Sequence, residues 1–145
     1  MEESDRSTSD FEEHPIQLRA LNVRELHIET HVPAESIGEI ESSAYSILVG
    51  HGDYDGETVQ VGVKLSAGDE DPAEAPFALA AELVGEFEVD EDRFPVERLD
   101  DWARENAPYI LLPYLREHVF ALTNRCGLDP MLLPLAMVPT KEQTD

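Results

Sequence analysis

An α+β fold is what the order of hydrophobic patterns predicts: a four-stranded antiparallel sheet with a long, Pro-interrupted helix packed on one face. Three observations carry it. Four segments between residues 15 and 89 repeat with the two-residue period of a strand. An Asp-Gly pair sits between two of them, a strong hairpin signal. The only sustained three-to-four-residue period comes afterwards, between Arg98 and Gly127. Strands first and helix last is the order of an α+β domain.

The first strand is expected from about Pro15 to His31. Ile16, Leu18 and Ala20 alternate in one phase, Leu21 and Val23 in the other, and Leu26 and Ile28 return to the first. A strand keeps a strict period of two, so each change of phase implies a bulge or bend. The stretch from Val32 to Glu41, broken by Pro33 and Gly38, reads as a crossover carrying Ile37 and Ile40. Tyr45, Ile47 and Val49 then alternate, as do Val59, Val61, Val63 and Leu65, with the turn Asp53-Tyr54-Asp55-Gly56 between them. An acidic loop over Ser66 to Pro76 precedes the fourth strand. There Phe77, Leu79, Ala81, Leu83, Phe87 and Val89 form one apolar face, and Glu82, Glu86 and Glu88 lie on the other. Gly85 interrupts the apolar face and marks close backbone approach.

The helix is expected in two pieces. Arg98 to Glu105 forms the first. Asn106 caps the second, with Pro108 in its first turn, where a missing N–H costs least. Leu111, Leu115, Val119 and Leu122 make its buried face. Pro113 bends this helix or marks its true start. Gly127 is a natural residue for its end. The segment Met131 to Val138 is too apolar for an idle loop. Either it packs on its own core or it lines a groove for extended apolar segments, where unbranched Met accepts many sequences.

A chain of 145 residues fits one domain. The polar, acidic residues 1–13 read as a disordered arm without signal-peptide character, residues 14–139 as the domain, and residues 140–145 as a flexible tail. There are 32 acidic residues against 10 basic ones, a formal charge of −22. That excludes a phosphate backbone as partner, since it needs Lys and Arg for neutralisation, and disfavours an anionic membrane surface. Only Lys64 and Lys141 are lysines; so acidic and lysine-poor a composition is common in salt-loving organisms. Cys126 is the single cysteine, so no internal disulfide can form and a reducing, cytoplasmic location is expected. No apolar run approaches the roughly 20 residues of a membrane span.

Catalytic and metal chemistry find little support in the spacing. His27 and His31 stand four apart on a strand, not on a helix or knuckle, so no metal ligands are assigned. Asp53 to Glu57 fails the spacing of a calcium loop. Adjacent acids such as Asp100 and Asp101 share one environment, whereas acid–base chemistry needs contrasting ones. No nucleotide-binding or nucleophile motif is present. The chain reads as a non-enzyme without a cofactor that works by holding other polypeptides. The competing reading is an acidic adaptor that blocks one folded partner.

The run Asn106-Ala107-Pro108-Tyr109-Ile110-Leu111-Leu112-Pro113-Tyr114-Leu115-Arg116-Glu117 resembles the signature of the SecB family. Pro108, Ile110, Leu111, Pro113, Tyr114, Arg116 and Glu117 match it, with Leu112 in place of Phe. Thr123-Asn124-Arg125-Cys126-Gly127 is similar to the family's helix end, and the resemblance extends over roughly Gln17 to Pro139. It implies an ATP-independent export chaperone that binds unfolded secretory preproteins, assembles as a dimer of dimers and hands clients to the SecA ATPase. Acids on the flat sheet face that would meet the motor's basic tail fall on Glu25, Glu29 and Glu82, with Ala80 beside them. A client groove is expected from Ile37, Ile40, Tyr109, Leu112, Leu133, Leu135 and Met137, and an oligomer interface from Ala81, Leu83 and Gly85. The family's second, C-terminal helix has no room after Pro139. That departure leaves open a branch dedicated to one partner, such as an antitoxin of a toxin–antitoxin system.

Overall fold

The computed structural model describes residues 10–38 and 45–134. Four strands, β1 (Ile16–Thr30), β2 (Tyr45–His51), β3 (Thr58–Gly68) and β4 (Phe77–Val89), precede two helices, α1 (Leu99–Glu105) and α2 (Ala107–Arg125). The strands form one antiparallel sheet in the order β1-β4-β3-β2, and the helices pack on one face of it. The connection from β1 to β2 therefore crosses from one edge of the sheet to the other. Its first part holds a single 3-10 turn, Ala34–Ser36.

The two phase changes in the first strand are two bulges, the first falling before Ala20 and not after it, so Ala20 leaves the face of Leu18. Leu18 faces Phe87 while Ala20 faces Glu86, and Val23 faces Leu83 while Glu25 faces Glu82. Arg19 and Arg24 are the inserted residues. Each insertion returns the following apolar residues to the helix-covered side, so Leu18, Leu21, Leu26 and Ile28 all oppose odd-numbered residues of β4.

The core lies between sheet and helices. Val59, Val61, Val63 and Leu65 of β3 and Leu79, Ala81, Leu83 and Phe87 of β4 meet Leu111, Leu115 and Val119 of α2. The Phe87 ring stands edge-on to Trp102 of α1, with centroids 5.3 Å apart. Fully burying each such side chain stabilises the fold by about 1.5–3 kcal/mol relative to exposure. Gly85 is where helix and sheet come nearest, for a Cβ there would lie 2.8 Å from Leu111 Cδ2 and 3.0 Å from Leu18 Cδ1.

Three local expectations are corrected. Asn106 does not cap α2 with its side chain. Its N–H already donates to the Trp102 carbonyl and its own carbonyl accepts from Tyr109, so α1 runs almost directly into α2. Pro113 lies inside α2 and does not mark its start. The acidic loop begins only after Gly68, because β3 continues to that residue. There a φ of +74° and a Cβ position 2.0 Å from the Phe77 carbonyl oxygen admit only glycine.

The end of α2 is fastened twice. Gly127, with φ +83°, donates to the Asn124 carbonyl, and Leu128 donates to the Thr123 carbonyl, the pairing of a Schellman cap. The chain then turns back along α2. The Thr123 hydroxyl, fully buried, donates to Val119 and accepts the Met131 N–H at 2.9 Å. Arg116 Nε donates to the Leu133 carbonyl at 2.7 Å.

Candidate functional site

Among the described residues, the sheet leaves β2 at an edge, paired only with β3. Its helix-side residues are only partly covered: Tyr45 and Ile47 pack against the core, and Val49 is 43% exposed. The junction of α1 and α2 stands opposite. Between them opens an apolar trough of about 430 Å³, lined by Tyr45, Ile47, Val49, Val63, Pro108, Tyr109, Leu112 and Leu115. That volume is in the range of small ligand sites. Arg104 and Glu105 stand at its rim, and Arg104 is held by Asp101 at 2.5 Å. Pro108 fits the first turn of α2 without losing a ladder bond, and its ring adds apolar wall.

The residues expected in a groove are distributed differently. Tyr109 and Leu112 line the trough. Leu133 does not: it is 1% exposed and belongs to the core under α2. Met131 is buried in the same way, while Leu132 between them is 62% exposed. The described part of the terminal segment thus packs on its own core. Ile37 packs on the core next to the 3-10 turn, and Ala34 of that turn lies 3.5 Å from the Cβ position of Gly127, at the far end of α2. The eighteen steps from Tyr109 to Gly127 separate the two places by roughly 27 Å along the helix direction. Ile40, Leu135 and Met137 lie outside the described residues.

Ala81 and Leu83 are 0% exposed beneath α2, and Gly85 meets Leu111 there. The protein's own helix already occupies the face expected to form an oligomer interface. A periodic apolar face says that something covers it, not whether the cover is the same chain. Exposed apolar groups lie instead on Val23 and Leu26 of β1 and on Ile110, Tyr114 and Phe120 of α2.

The opposite sheet face brings the expected acids together. Glu25 faces Glu82, His27 faces Ala80 and Glu29 faces Ala78 across β1 and β4. Two carboxylates directly opposite repel. Lys64 of β3, opposite Glu82, reaches Glu25 Oε1 at 3.3 Å and offsets part of that repulsion. The groups are partly exposed, so the pair contributes at most about 1 kcal/mol. Among the described residues, the two histidines of β1 and its edge do not converge. His31 Nε2 meets the Asp69 carbonyl, and His27 points toward Glu29 and Glu70.

The turn after β2 is a hydrogen-bonded structure in its own right. Asp55 Oδ1 accepts the N–H groups of Glu57 and Thr58, which holds its carboxyl below the usual range. Tyr54 donates to Glu91 at 2.6 Å. Desolvation, that bond and the charges of Glu91, Asp55 and Glu57 push its phenol up to about 12. Gly56 takes the positive φ of +97° that the turn requires.

The fold is SecB-like. It resembles the SecB-like chaperone of Mycobacterium tuberculosis, solved in complex with a ChAD peptide from the HigA1 antitoxin, with a TM-score of 0.60 at 20% identity. The similarity covers 84% of this chain and 91% of that one. An uncharacterized protein of Methanocaldococcus jannaschii is 33% identical over 73 residues, a stretch spanning half of this chain and 46% of the relative. No protein-family model matches the sequence.

Proposed function

We propose that the protein is an ATP-independent chaperone that holds extended apolar polypeptide segments in the trough between β2 and the α1–α2 junction. The observation that carries this is the trough itself: apolar walls from Ile47, Val49, Tyr109 and Leu112, beside a sheet edge whose outer backbone groups no other strand among the described residues takes up. An extended client can pair with such an edge while its side chains enter the trough. The likeness to a chaperone solved with a bound peptide supports the reading. Unfolded preproteins are the proposed clients. Delivery to the SecA motor through Glu25, Glu29, Ala80 and Glu82, and assembly as a homotetramer in the cytoplasm, belong to the same reading. The clustering of those acids on one face supports the former. The exposed apolar groups of β1 and α2 support self-association.

One observation favours a second reading. The similar structure holds a peptide from an antitoxin, so a chaperone dedicated to one partner of that kind fits the same trough.

The test is to mix the protein, without ATP, with a chemically unfolded secretory precursor and to follow refolding and light scattering. Delayed refolding and suppressed aggregation are expected, and Ile47→Ser with Tyr109→Ser should weaken both. Unchanged refolding of every precursor tried would overturn the general chaperone and leave the dedicated partner. Full activity in the double variant would remove the trough from the mechanism.

A further inference from the structure

Resting on the reading of the trough as the client site, we propose that the chain's own residues 135–138 fill that trough when no client is bound, so that a client binds by displacing them. The described chain ends at Pro134, and its course up to that point aims at the trough. The Met131 N–H donates to the Thr123 hydroxyl at 2.9 Å, and the Leu133 carbonyl accepts from Arg116 Nε at 2.7 Å. The segment therefore runs antiparallel to α2, from its C-terminal end toward its N-terminal one. Thr123, Arg116, Leu112 and Tyr109 are spaced seven, four and three apart, which puts them on one stripe of the helix. The first two hold the returning segment, and the last two line the trough.

The reach agrees. Leu112 lies four positions before Arg116 and Tyr109 seven, so roughly 6 Å and 10 Å farther along the axis. Extended chain advances about 3.3–3.6 Å per residue, which carries Leu135 about 7 Å beyond Leu133 and Met137 about 14 Å. The facing agrees too. Met131 and Leu133 are 4% and 1% exposed, while Leu132 is 62% exposed and Pro134 is exposed as well. That is the two-residue alternation of an extended segment, and Pro134 keeps Leu133 out of the helical region. Continued, the alternation turns Leu135 and Met137 toward the protein and Ala136 and Val138 away from it.

The occupant matches the walls. Ile47, Val49 and Leu112 offer aliphatic surface and Tyr109 an aromatic one. The unbranched thioether of Met137 fits an irregular apolar space and packs well on a ring. A tether as short as Pro134 keeps the local concentration of the segment in the millimolar range or above, so weak pairing suffices to keep the trough filled. An external client then binds with an affinity reduced by the fraction of time that the trough stands open. Such a plug covers apolar walls that otherwise promote self-association. It yields to a client segment that buries more apolar area than one Leu and one Met.

The experiment isotope-labels the methionine methyl groups of the full chain and follows Met137, one of three, by NMR. In the free protein, cross-peaks from Met137 to the rings of Tyr109 and Tyr45 are expected, and they should vanish when a chemically unfolded secretory precursor is added. Leu135→Ser combined with Met137→Ser should tighten binding of that precursor about tenfold. Ala136→Ser, on the outward side, should leave it unchanged. Both serines lie past Leu133, where the described core ends, and circular dichroism checks that the double variant folds. No contact between Met137 and the trough rings in the free protein would overturn the plug. So would contacts seen only between differently labelled chains, which would make the occupant the tail of a second copy. Where the parent binds the precursor, a double variant that binds it equally well or more weakly also overturns the plug, the weaker binding making these residues part of the client wall. Contacts present in a chain that binds no precursor would uphold the plug and overturn the chaperone reading instead.

Discussion

Replacing Gly85 with alanine isolates the closest approach between α2 and the sheet. The added methyl would lie 2.8 Å from Leu111 Cδ2, 3.0 Å from Leu18 Cδ1 and 3.2 Å from Phe87 Cε2. Leu18 is half-buried and can turn away. Leu111 and Phe87 are 0% exposed and cannot retreat without moving the helix. Overpacking of this kind costs about 1–3 kcal/mol, and two immovable neighbours place it in the upper half. Against that, exchanging glycine for alanine inside a strand recovers about 0.5–1 kcal/mol of backbone entropy. The steric effect wins, with a net loss of about 1–2.5 kcal/mol. For a chain of this size that is a fall in Tm of about 2–10 °C. Trp102, the single tryptophan, rests on Phe87 two residues away and reports unfolding by fluorescence in urea. Gly62→Ala is the control at equal protein concentration. Its Cβ would meet nothing nearer than 3.6 Å, so the same entropy gain should leave it neutral or slightly more stable. A Gly85→Ala protein as stable as the parent, or a Gly62→Ala protein equally damaged, would refute the reasoning.

Thr123→Val removes the acceptor of the buried Met131 N–H and should cost about 1–3 kcal/mol, with faster amide exchange at Met131 and Leu133; unchanged exchange would mean that Thr123 does not hold the returning segment. Tyr54 makes the pH dependence of the first hairpin specific. Its phenol is raised to about 12 from an unfolded value near 10, so its contribution is present below pH 10 and lost as pH climbs from 10 to 12. Near-ultraviolet absorbance should show one phenol titrating near pH 12 that disappears in Tyr54→Phe, and its persistence there would assign it to another tyrosine.

Local chemistry was legible where it is written in neighbouring residues. The phase changes at Leu21 and Leu26 announced two bulges, and the glycine in an apolar row announced the contact with Leu111. The α+β order followed from periodicity alone. What failed was non-local. Nothing in Tyr45, Ile47 and Val49 says that β2 ends at a sheet edge, since strand order depends on pairings between distant segments. The segment of Leu133 was open to two readings, own core or groove wall, and Ala81 was expected at an interface, because an apolar residue does not specify its cover. The same limit applies to the site: Tyr109 and Leu112 were named, but the strand that faces them was not.

The paired bulges of β1 bear on how such chains can vary in length. Removing one residue from an ordinary strand inverts every side chain beyond the cut, turning its apolar set outward. At Arg19 or Arg24 it would not. Leu18 would still oppose Phe87 and Ala20 still oppose Glu86, with regular pairing in place of the insertion. Two points in the longest strand therefore tolerate the loss of a residue without exchanging inside for outside. Alignments of related chains should place their gaps in β1 at those arginines, and the acids of the opposite face should keep their orientation across every such gap.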